Sequence, residues 1–209
     1  MVGEVARPGA ALFGIIQGGL HKKLREKSAK DAVALGFPGY AVGGLCVGES
    51  DREFEELAAF CAPILPPEKP RYLMGVGTPA DIIRAVGWGY DLFDCVLPTR
   101  MARHHVAYTR FGKVDLRRSQ YAEDERPLDP GCRCPVCLDH SRAYIHHLAK
   151  LHEINAPVLI TLHNLHFYRE LLSRARAAVL RGAYAEFAMK WLSRLGEGRK
   201  ARAQQTSSG

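Results

Sequence analysis

Between Cys132 and Cys137 the chain holds three of its six cysteines in the pattern Cys-x-Cys-x-x-Cys. Spacing this tight puts three thiolates on one loop, which Gly131 and Pro135 help to bend. Such a group predicts a tetrahedral Zn²⁺ ion that needs one further nitrogen or sulfur ligand. His140, His146, His147 and His152 are nearer in sequence. His163 is preferred because it follows the short apolar run from Val158 to Leu162 and opens a helix, so that a ligand there would pin two segments together. The expected ligand set is therefore Cys132, Cys134, Cys137 and His163, against the alternative of three unrelated free thiols. Four protein ligands leave no open position, so this zinc would organise structure and not perform chemistry.

A second group of candidates depends on the elements that position it. From residue 11 to about 100, short apolar runs alternate with amphipathic segments, the rhythm of β/α units around a parallel sheet. Strands are expected at Ala11 to Gln17, Tyr40 to Gly43, Arg71 to Gly75 and Asp91 to Leu97. Helices are expected from about Leu20 to Leu35, from Asp51 to Cys61 behind a Ser50/Glu53 capping box, and after Thr78-Pro79 to about Val86. Past Thr99 the rhythm breaks. Val106 to Thr109 and Lys113 to Leu116 read as a hairpin turning at Phe111-Gly112, and the cysteine loop follows. Helices at Ser141 to Ile154, Asn164 to Arg181 and Ala183 to Arg194 then lead to a polar, frayed tail from Gly198.

In parallel β/α folds, reactive groups gather at the C-terminal ends of the strands, where the following loops converge. The first end offers Gln17 with Gly18 and Gly19, an amide able to read a donor and an acceptor together. The second offers the loop from Gly43 to Glu49, whose glycines can bring bare peptide groups to a planar ligand. The third brings the thioether of Met74. The fourth carries Asp94 in Phe93-Asp94-Cys95-Val96, a carboxylate among apolar neighbours that suits nucleophilic attack on a sugar carbon. Each has a plainer alternative, a tight turn, a core methionine or a structural carboxylate; the case rests on their joint occurrence.

Composition sets the outer bounds. Of 209 residues, 47% are hydrophobic, enough to bury a proper core. The net charge of +7, with arginines concentrated from Arg100 onward, favours a polyanionic partner such as nucleic acid. Cys46, Cys61 and Cys95 sit singly in apolar segments, which fits a reducing, cytoplasmic setting. No apolar run approaches the length of a membrane span, and the first ten residues lack a signal-peptide pattern.

Four motifs in order, Phe13-Gly14-Ile15-Ile16-Gln17-Gly18-Gly19, Gly43-Gly44-Leu45-Cys46-Val47-Gly48-Glu49, Phe93-Asp94-Cys95-Val96-Leu97-Pro98-Thr99-Arg100 and the Cys-x-Cys-x-x-Cys…His set, resemble tRNA-guanine transglycosylase, the queuine tRNA-ribosyltransferase family. The resemblance runs from about residue 11 to 195. It implies an α/β fold, the C-terminal half of a (β/α)8 TIM barrel with an inserted zinc-binding subdomain. On that reading residues 1–104 are β/α units of the barrel, 105–163 the hairpin and zinc subdomain, 164–195 the C-terminal helices and 196–209 a polar tail.

The resemblance further implies that Asp94 attacks the ribose C1′ of the wobble guanosine in a tRNA anticodon, and that an incoming 7-deazaguanine base displaces it. Gln17 and the backbone of Gly44 and Leu45 would read the base edge, Met74 would pack on its face, and Glu49 would support the loop peptide. Arg100 and Arg103 would hold the anticodon loop. Val47 matches the bacterial members, which insert 7-aminomethyl-7-deazaguanine, where eukaryotic catalytic subunits carry glycine. A homodimer joined near the zinc subdomain is also implied. Two features depart from the family: His104 stands where asparagine is usual, and the upstream strands with their second catalytic aspartate and base-gripping residues have no counterpart here. Four β/α units do not close an eight-stranded barrel. The expectation is thus a fragment or a chain completed by a partner, with a non-catalytic zinc- and tRNA-binding module as the alternative.

Overall fold

The computed structural model describes residues 9–45 and 48–206, with 196–206 described as backbone only. The chain forms two compact units, Met1–Cys95 and Val96–Gly209.

The first unit is a mixed α/β layer around a parallel sheet. Strand β1 (Phe13–Ile16) leads through helix α1 (Lys22–Ala34) to β2 (Gly39–Val42), then through α2 (Asp51–Cys61) to β3 (Arg71–Leu73), and through α3 (Pro79–Trp88) to β4 (Leu92–Phe93). The four strands lie in chain order, all parallel, with Phe13 opposite Gly39, Tyr40 opposite Arg71 and Tyr72 opposite Leu92. All four residues of β2 are buried, as expected of an inner parallel strand. The core joins Ile16, Tyr40, Val42 and Leu73 of the sheet to Phe54, Leu57, Ala58 and Cys61 of α2. The helix starts follow the sequence signals. Ser50 accepts from the Glu53 N–H while the Glu53 carboxylate accepts from the Ser50 N–H, and Thr78 accepts from the Asp81 N–H ahead of Pro79.

The fourth strand is shorter than its apolar run. β4 ends at Phe93, so Asp94 lies just beyond the strand and not within it. In the second unit, helix α4 (Leu97–Arg103) occupies the stretch where the β/α rhythm breaks in the sequence. Pro98 explains both the break and the helix: it cannot donate to a sheet ladder, but its fixed φ suits a first helical turn. Strands β5 (Val106–Thr109) and β6 (Gly112–Asp115) form the expected hairpin, shifted so that Arg110-Phe111 make the turn and Gly112, at φ +109°, opens β6.

Helix α5 (Pro135–Asp139) carries part of the cysteine loop, and α6 (Arg142–Lys150) ends before His152, whose φ of +56° separates it from α7. α7 (Asn155–Leu180) begins eight residues before His163, so that His163 sits within a helix and does not open one. The apolar run before it has helical spacing: Ile160, His163, Asn164 and Phe167 are buried, whereas Val158, Leu162 and Leu165 face out. α8 (Tyr184–Thr206) carries the backbone helix well past Gly198, where the sequence reads as a frayed tail.

α7 is the spine of the second unit, and Asn164 fixes it. Fully buried, Asn164 accepts from the Tyr108 N–H at 2.8 Å and donates to Val106 O at 3.2 Å and Pro98 O at 2.9 Å. One amide thereby ties α7 to β5 and to the first turn of α4. Asn164→Ala leaves a buried N–H and two carbonyls to find other partners, and is expected to cost about 3 kcal/mol in chemical denaturation.

Candidate active site and metal centre

The first unit brings most of the strand-end candidates to one edge of the sheet, where Gln17, Gly43, Met74 and Asp94 each follow a strand directly. The ladder continues one step past the strands, with Gly43 N–H donating to Ile16 O and Met74 N–H to Val42 O, so these residues are held in sheet register. The Gln17 N–H donates to Ser28 Oγ on α1 at 3.1 Å, which leaves its side chain to reach across the second loop. A Cβ at Gly43 would lie 3.2 Å from Gln17 Nε2 and 3.5 Å from Met74 Sδ. At Gly44, with φ +65°, a Cβ would collide with Gln17 Oε1. Amide, thioether and glycine backbone are thus gathered, and at Gly44 the positive φ and the nearby Gln17 amide together call for glycine.

The other loop candidates are dispersed. Leu45 is buried, at 4% exposure, and joins the core of the first unit. Glu49 is half-buried just before the Ser50 cap. Val47 lies outside the described residues, as does Cys46.

Asp94 is exposed, in contrast to the apolar enclosure expected of it. Two donors converge on its Oδ1: the Gly75 N–H at 2.8 Å and the Tyr72 hydroxyl at 2.7 Å. Its pKa is held below the ordinary aspartate value, mainly by the Gly75 N–H and then by Tyr72. The same bond pushes the Tyr72 phenol up to about 12, so Tyr72 stays a donor at neutral pH. The result is an ionised carboxylate with one oxygen fixed and Oδ2 held by neither bond. Tyr72 was not among the sequence candidates, yet strand alternation offered a signal, because residues two apart on β3 share a face and Met74 marks it. Arg25 was missed too. It is fully buried, and its four-residue spacing to Ala29 and then Val33 puts it on the inner stripe of α1.

In the second unit, Arg100 and Arg103 are exposed in the last turn of α4, one turn apart, where positive charge is favoured by the helix dipole. His104 follows as an exposed C-cap.

Cys132, Cys134, Cys137 and His163 come together in the same unit, all four ligand atoms lying within 4.8 Å of one another. Gly131, at φ +83°, turns the chain into the loop, and Cys134 caps α5 by accepting from the Cys137 N–H at 3.4 Å. His163 Nδ1 lies 3.3 Å from Cys137 Sγ, 3.4 Å from Cys134 Sγ and 3.9 Å from Cys132 Sγ. A tetrahedral ion with ordinary Zn–S and Zn–N bonds needs this N···S edge to be about 3.6 Å, which these distances bracket. The opposite nitrogen, Nε2, donates to Tyr108 O at 2.8 Å, which fixes the tautomer and turns the Nδ1 lone pair toward the sulfurs. Hydrogen bonds from Cys132 and then Cys137 push the Cys134 thiol down, while the same neighbours push Cys137 up, so the three sulfurs share their protons as one group. The donor set fits a soft, tetrahedral metal ion.

The Asp94 geometry makes a prediction with a definite sign. Tyr72→Phe removes one of two stabilising donors, so the Asp94 titration followed by carboxyl carbon NMR should move upward while remaining below the ordinary value. Because the folded pKa is the lower one, the stability Asp94 contributes is complete above the ordinary aspartate value. It is lost as pH falls through the folded value, and the variant should lose it earlier on acidification.

A family model described as queuine tRNA-ribosyltransferase matches residues 3–197. The queuine tRNA-ribosyltransferase of Brucella melitensis biotype 1 is 52% identical over 181 residues, covering 87% of this chain and 48% of the relative. That of Rickettsia typhi is 50% identical over 183 residues, covering 88% of this chain and 51% of the relative. The chain spans about half the length of the curated relatives it matches. With the match extending across both compact units, from the strand ends to the cysteine cluster, the chain belongs to the queuine tRNA-ribosyltransferase family.

Proposed function

We propose that this chain is the nucleophile-bearing part of a tRNA-guanine transglycosylase, which exchanges the wobble guanine of a tRNA anticodon for 7-aminomethyl-7-deazaguanine in queuosine biosynthesis. The observation that carries this reading is Asp94, an ionised carboxylate fixed through Oδ1 by Tyr72 and Gly75 at the strand edge that also bears Gln17, Gly44 and Met74. Asp94 Oδ2 attacks the ribose C1′, the C1′–N9 bond breaks, and its electron pair leaves on guanine. The incoming base then attacks C1′ through its own ring nitrogen, and the C1′–O bond to Asp94 breaks. Guanine takes up one proton and the incoming base gives one up, so the exchange balances and two inversions retain the ribose configuration. A carboxylate of lowered pKa is a weaker nucleophile but a better leaving group, which suits a step that must run in both directions.

Gln17 and the Gly44 and Leu45 peptides read the base edge, Met74 covers its face, Glu49 supports the loop, and Val47 sets the size of base admitted. Arg100 and Arg103 take anticodon-loop phosphates. Cys132, Cys134, Cys137 and His163 hold zinc, which when bound supplies cross-linking of the loop to α7 and no reaction step.

The parallel sheet is half of a (β/α)8 barrel, with residues 1–104 as barrel, 105–163 as inserted subdomain and 164–195 as C-terminal helices. In support, the β1 edge leaves Leu12 and Ile15 exposed beside Leu24 and Leu35 of the α1 segment, an apolar border of the kind a further barrel strand would cover. A homodimer is supported by the exposed ridge of Ile154, Val158, Leu162 and Leu165. A cytoplasmic setting fits a tRNA substrate, and no described helix is long and apolar enough to cross a membrane. The net charge of +7 and the exposed Arg100 and Arg103 are also met by a second reading, a zinc- and tRNA-binding module without turnover.

Incubating the chain with tRNA and labelled guanine, alone and with the N-terminal half of a full-length relative added, tests the first reading. Label should enter the tRNA, and Asp94→Ala should abolish both exchange and the covalent RNA adduct. Absence of exchange in both mixtures, with tRNA affinity kept by Asp94→Ala, would establish the binding module instead. Metal analysis should return one zinc per chain, lost in Cys137→Ala together with the thermal stability of the second unit.

A further inference from the structure

Arg25 is the buried charge for which the chemistry above has no use. Its side chain is fully inside the first unit, projecting from α1 beneath the two loops that carry the base-reading candidates. Nε donates to Gly19 O at 2.7 Å, Nη1 to Gly43 O at 3.1 Å and Nη2 to Gly44 O at 3.0 Å. A guanidinium does not deprotonate in proteins, so this is a permanent cation stabilised by three carbonyl dipoles taken from two different loops. Burying such a charge costs several kcal/mol before its hydrogen bonds offset the loss. The arrangement therefore calls for a reason beyond packing.

The reason lies in which carbonyls are taken. Gly43 O and Gly44 O belong to consecutive peptides, and none of the described peptide bonds is cis. In a planar trans peptide the N–H points opposite to the C=O. With both carbonyls drawn toward Arg25, the N–H groups of Gly44 and Leu45 are directed away from it. Gly44, at φ +65°, is also the residue pressed against the Gln17 amide. Nε adds a bond to Gly19, two residues after Gln17, so one guanidinium sets the loop behind each reader.

We propose that Arg25 is a positioning residue for base recognition, locking the Gly43–Gly44–Leu45 backbone so that its N–H groups are preset donors for the acceptor edge of a guanine-type base. The proposal rests on the strand-end site described under Proposed function. Preorganised donors save the ordering cost that a free glycine loop would meet on binding. Lysine in place of Arg25 keeps the charge but cannot span three carbonyls at fork geometry.

A control is built into the same sheet. Arg71 is also buried and also donates to carbonyls, Leu65 O at 2.9 Å and Gly89 O at 3.4 Å, but it lies at the opposite, N-terminal end of β3. If buried arginines here serve stability alone, the two should behave alike.

The test uses the full chain and its Arg25→Lys, Arg25→Met and Arg71→Met variants. Guanine and 7-aminomethyl-7-deazaguanine are titrated by nitrogen-15 NMR, with thermal unfolding and the order of the Gly44 and Leu45 amides measured beside them. Arg25→Lys should keep the global fold yet weaken base affinity roughly tenfold or more and loosen the Gly44 and Leu45 amides, whereas Arg71→Met should lower the melting point with affinity unchanged. Unchanged affinity in Arg25→Lys, or an equal loss in Arg71→Met, overturns the proposal. If the unmodified chain binds neither base, alone or with the N-terminal half of a full-length relative added, the reading of the strand-end site fails. The amide data then decide alone: Gly44 and Leu45 undisturbed in Arg25→Lys would overturn the role given to Arg25. The lysine variant carries the test if Arg25→Met does not fold.

Discussion

Backbone polar groups at the ends and edges of a sheet have no next strand to pair with, and each must find another partner if it is not to lie unpaired away from water. This constraint accounts for both sites. In the first unit the Gly75 N–H is taken up by Asp94, and the carbonyls of Gly19, Gly43 and Gly44 are taken up by Arg25. In the second, Tyr108 turns its N–H and C=O away from the hairpin partner, where Asn164 and His163 receive them. The side chains that satisfy these groups are held rigidly as a consequence. The nucleophile candidate and the candidate metal-ligand histidine are thus positioned by the same kind of bond that completes the fold.

The way Asp94 is satisfied shapes its chemistry. A backbone N–H is not lost by deprotonation at any ordinary pH, so the Gly75 N–H favours the ionised form whatever the state of neighbouring side chains. Tyr72 adds to this while its own phenol is pushed up to about 12. Neither donor carries a formal charge. The carboxylate keeps its net negative charge, shared between its two oxygens, where a neighbouring lysine or arginine would have partly neutralised it. An electrophilic carbon approaching Oδ2 therefore meets an anion that is fixed but not quenched.

The sequence made these features legible to different degrees, for physical reasons. The cysteine cluster was readable because ligand spacing is local, and the Ser50/Glu53 and Thr78-Pro79 helix starts because capping is local too. The alternation of strands and helices through residue 93 followed from apolar periodicity, and with it the edge on which Gln17, Met74 and Asp94 stand. Where local cues conflicted, the reading failed. Leu97 looked like the end of a strand, but Pro98 made it the start of α4, and Asp94 came out exposed. His163 stands with the three cysteines as expected while its setting was misread, because the short run from Val158 to Leu162 hides its helical spacing until the longer period is counted. Arg25 and Tyr72 were missed for another reason. Apart from Gly19, six residues from Arg25, their partners are 18 to 22 residues away, and the period that places each side chain on its face does not show which distant group it bonds.

The adjacency of His163 and Asn164 gives the metal centre a reach beyond its ligands. His163 answers to the sulfurs through Nδ1 and to Tyr108 O through Nε2, while the next residue holds Tyr108 N, Val106 O and Pro98 O. Successive residues of a helix point about 100° apart, so the two side chains divide their work: one faces the cysteine loop and the other the first turn of α4. A metal bound by the cysteines therefore fixes the rotation and height of α7 at this point, and with it the anchor of the helix that presents Arg100 and Arg103. The exposed arginines are long and rotamer-rich, and no internal bond could hold them as firmly as the backbone beneath them does. A metal held by these four residues would in this way govern the placing of two exposed arginines by mechanics alone, through one helix and two consecutive buried side chains.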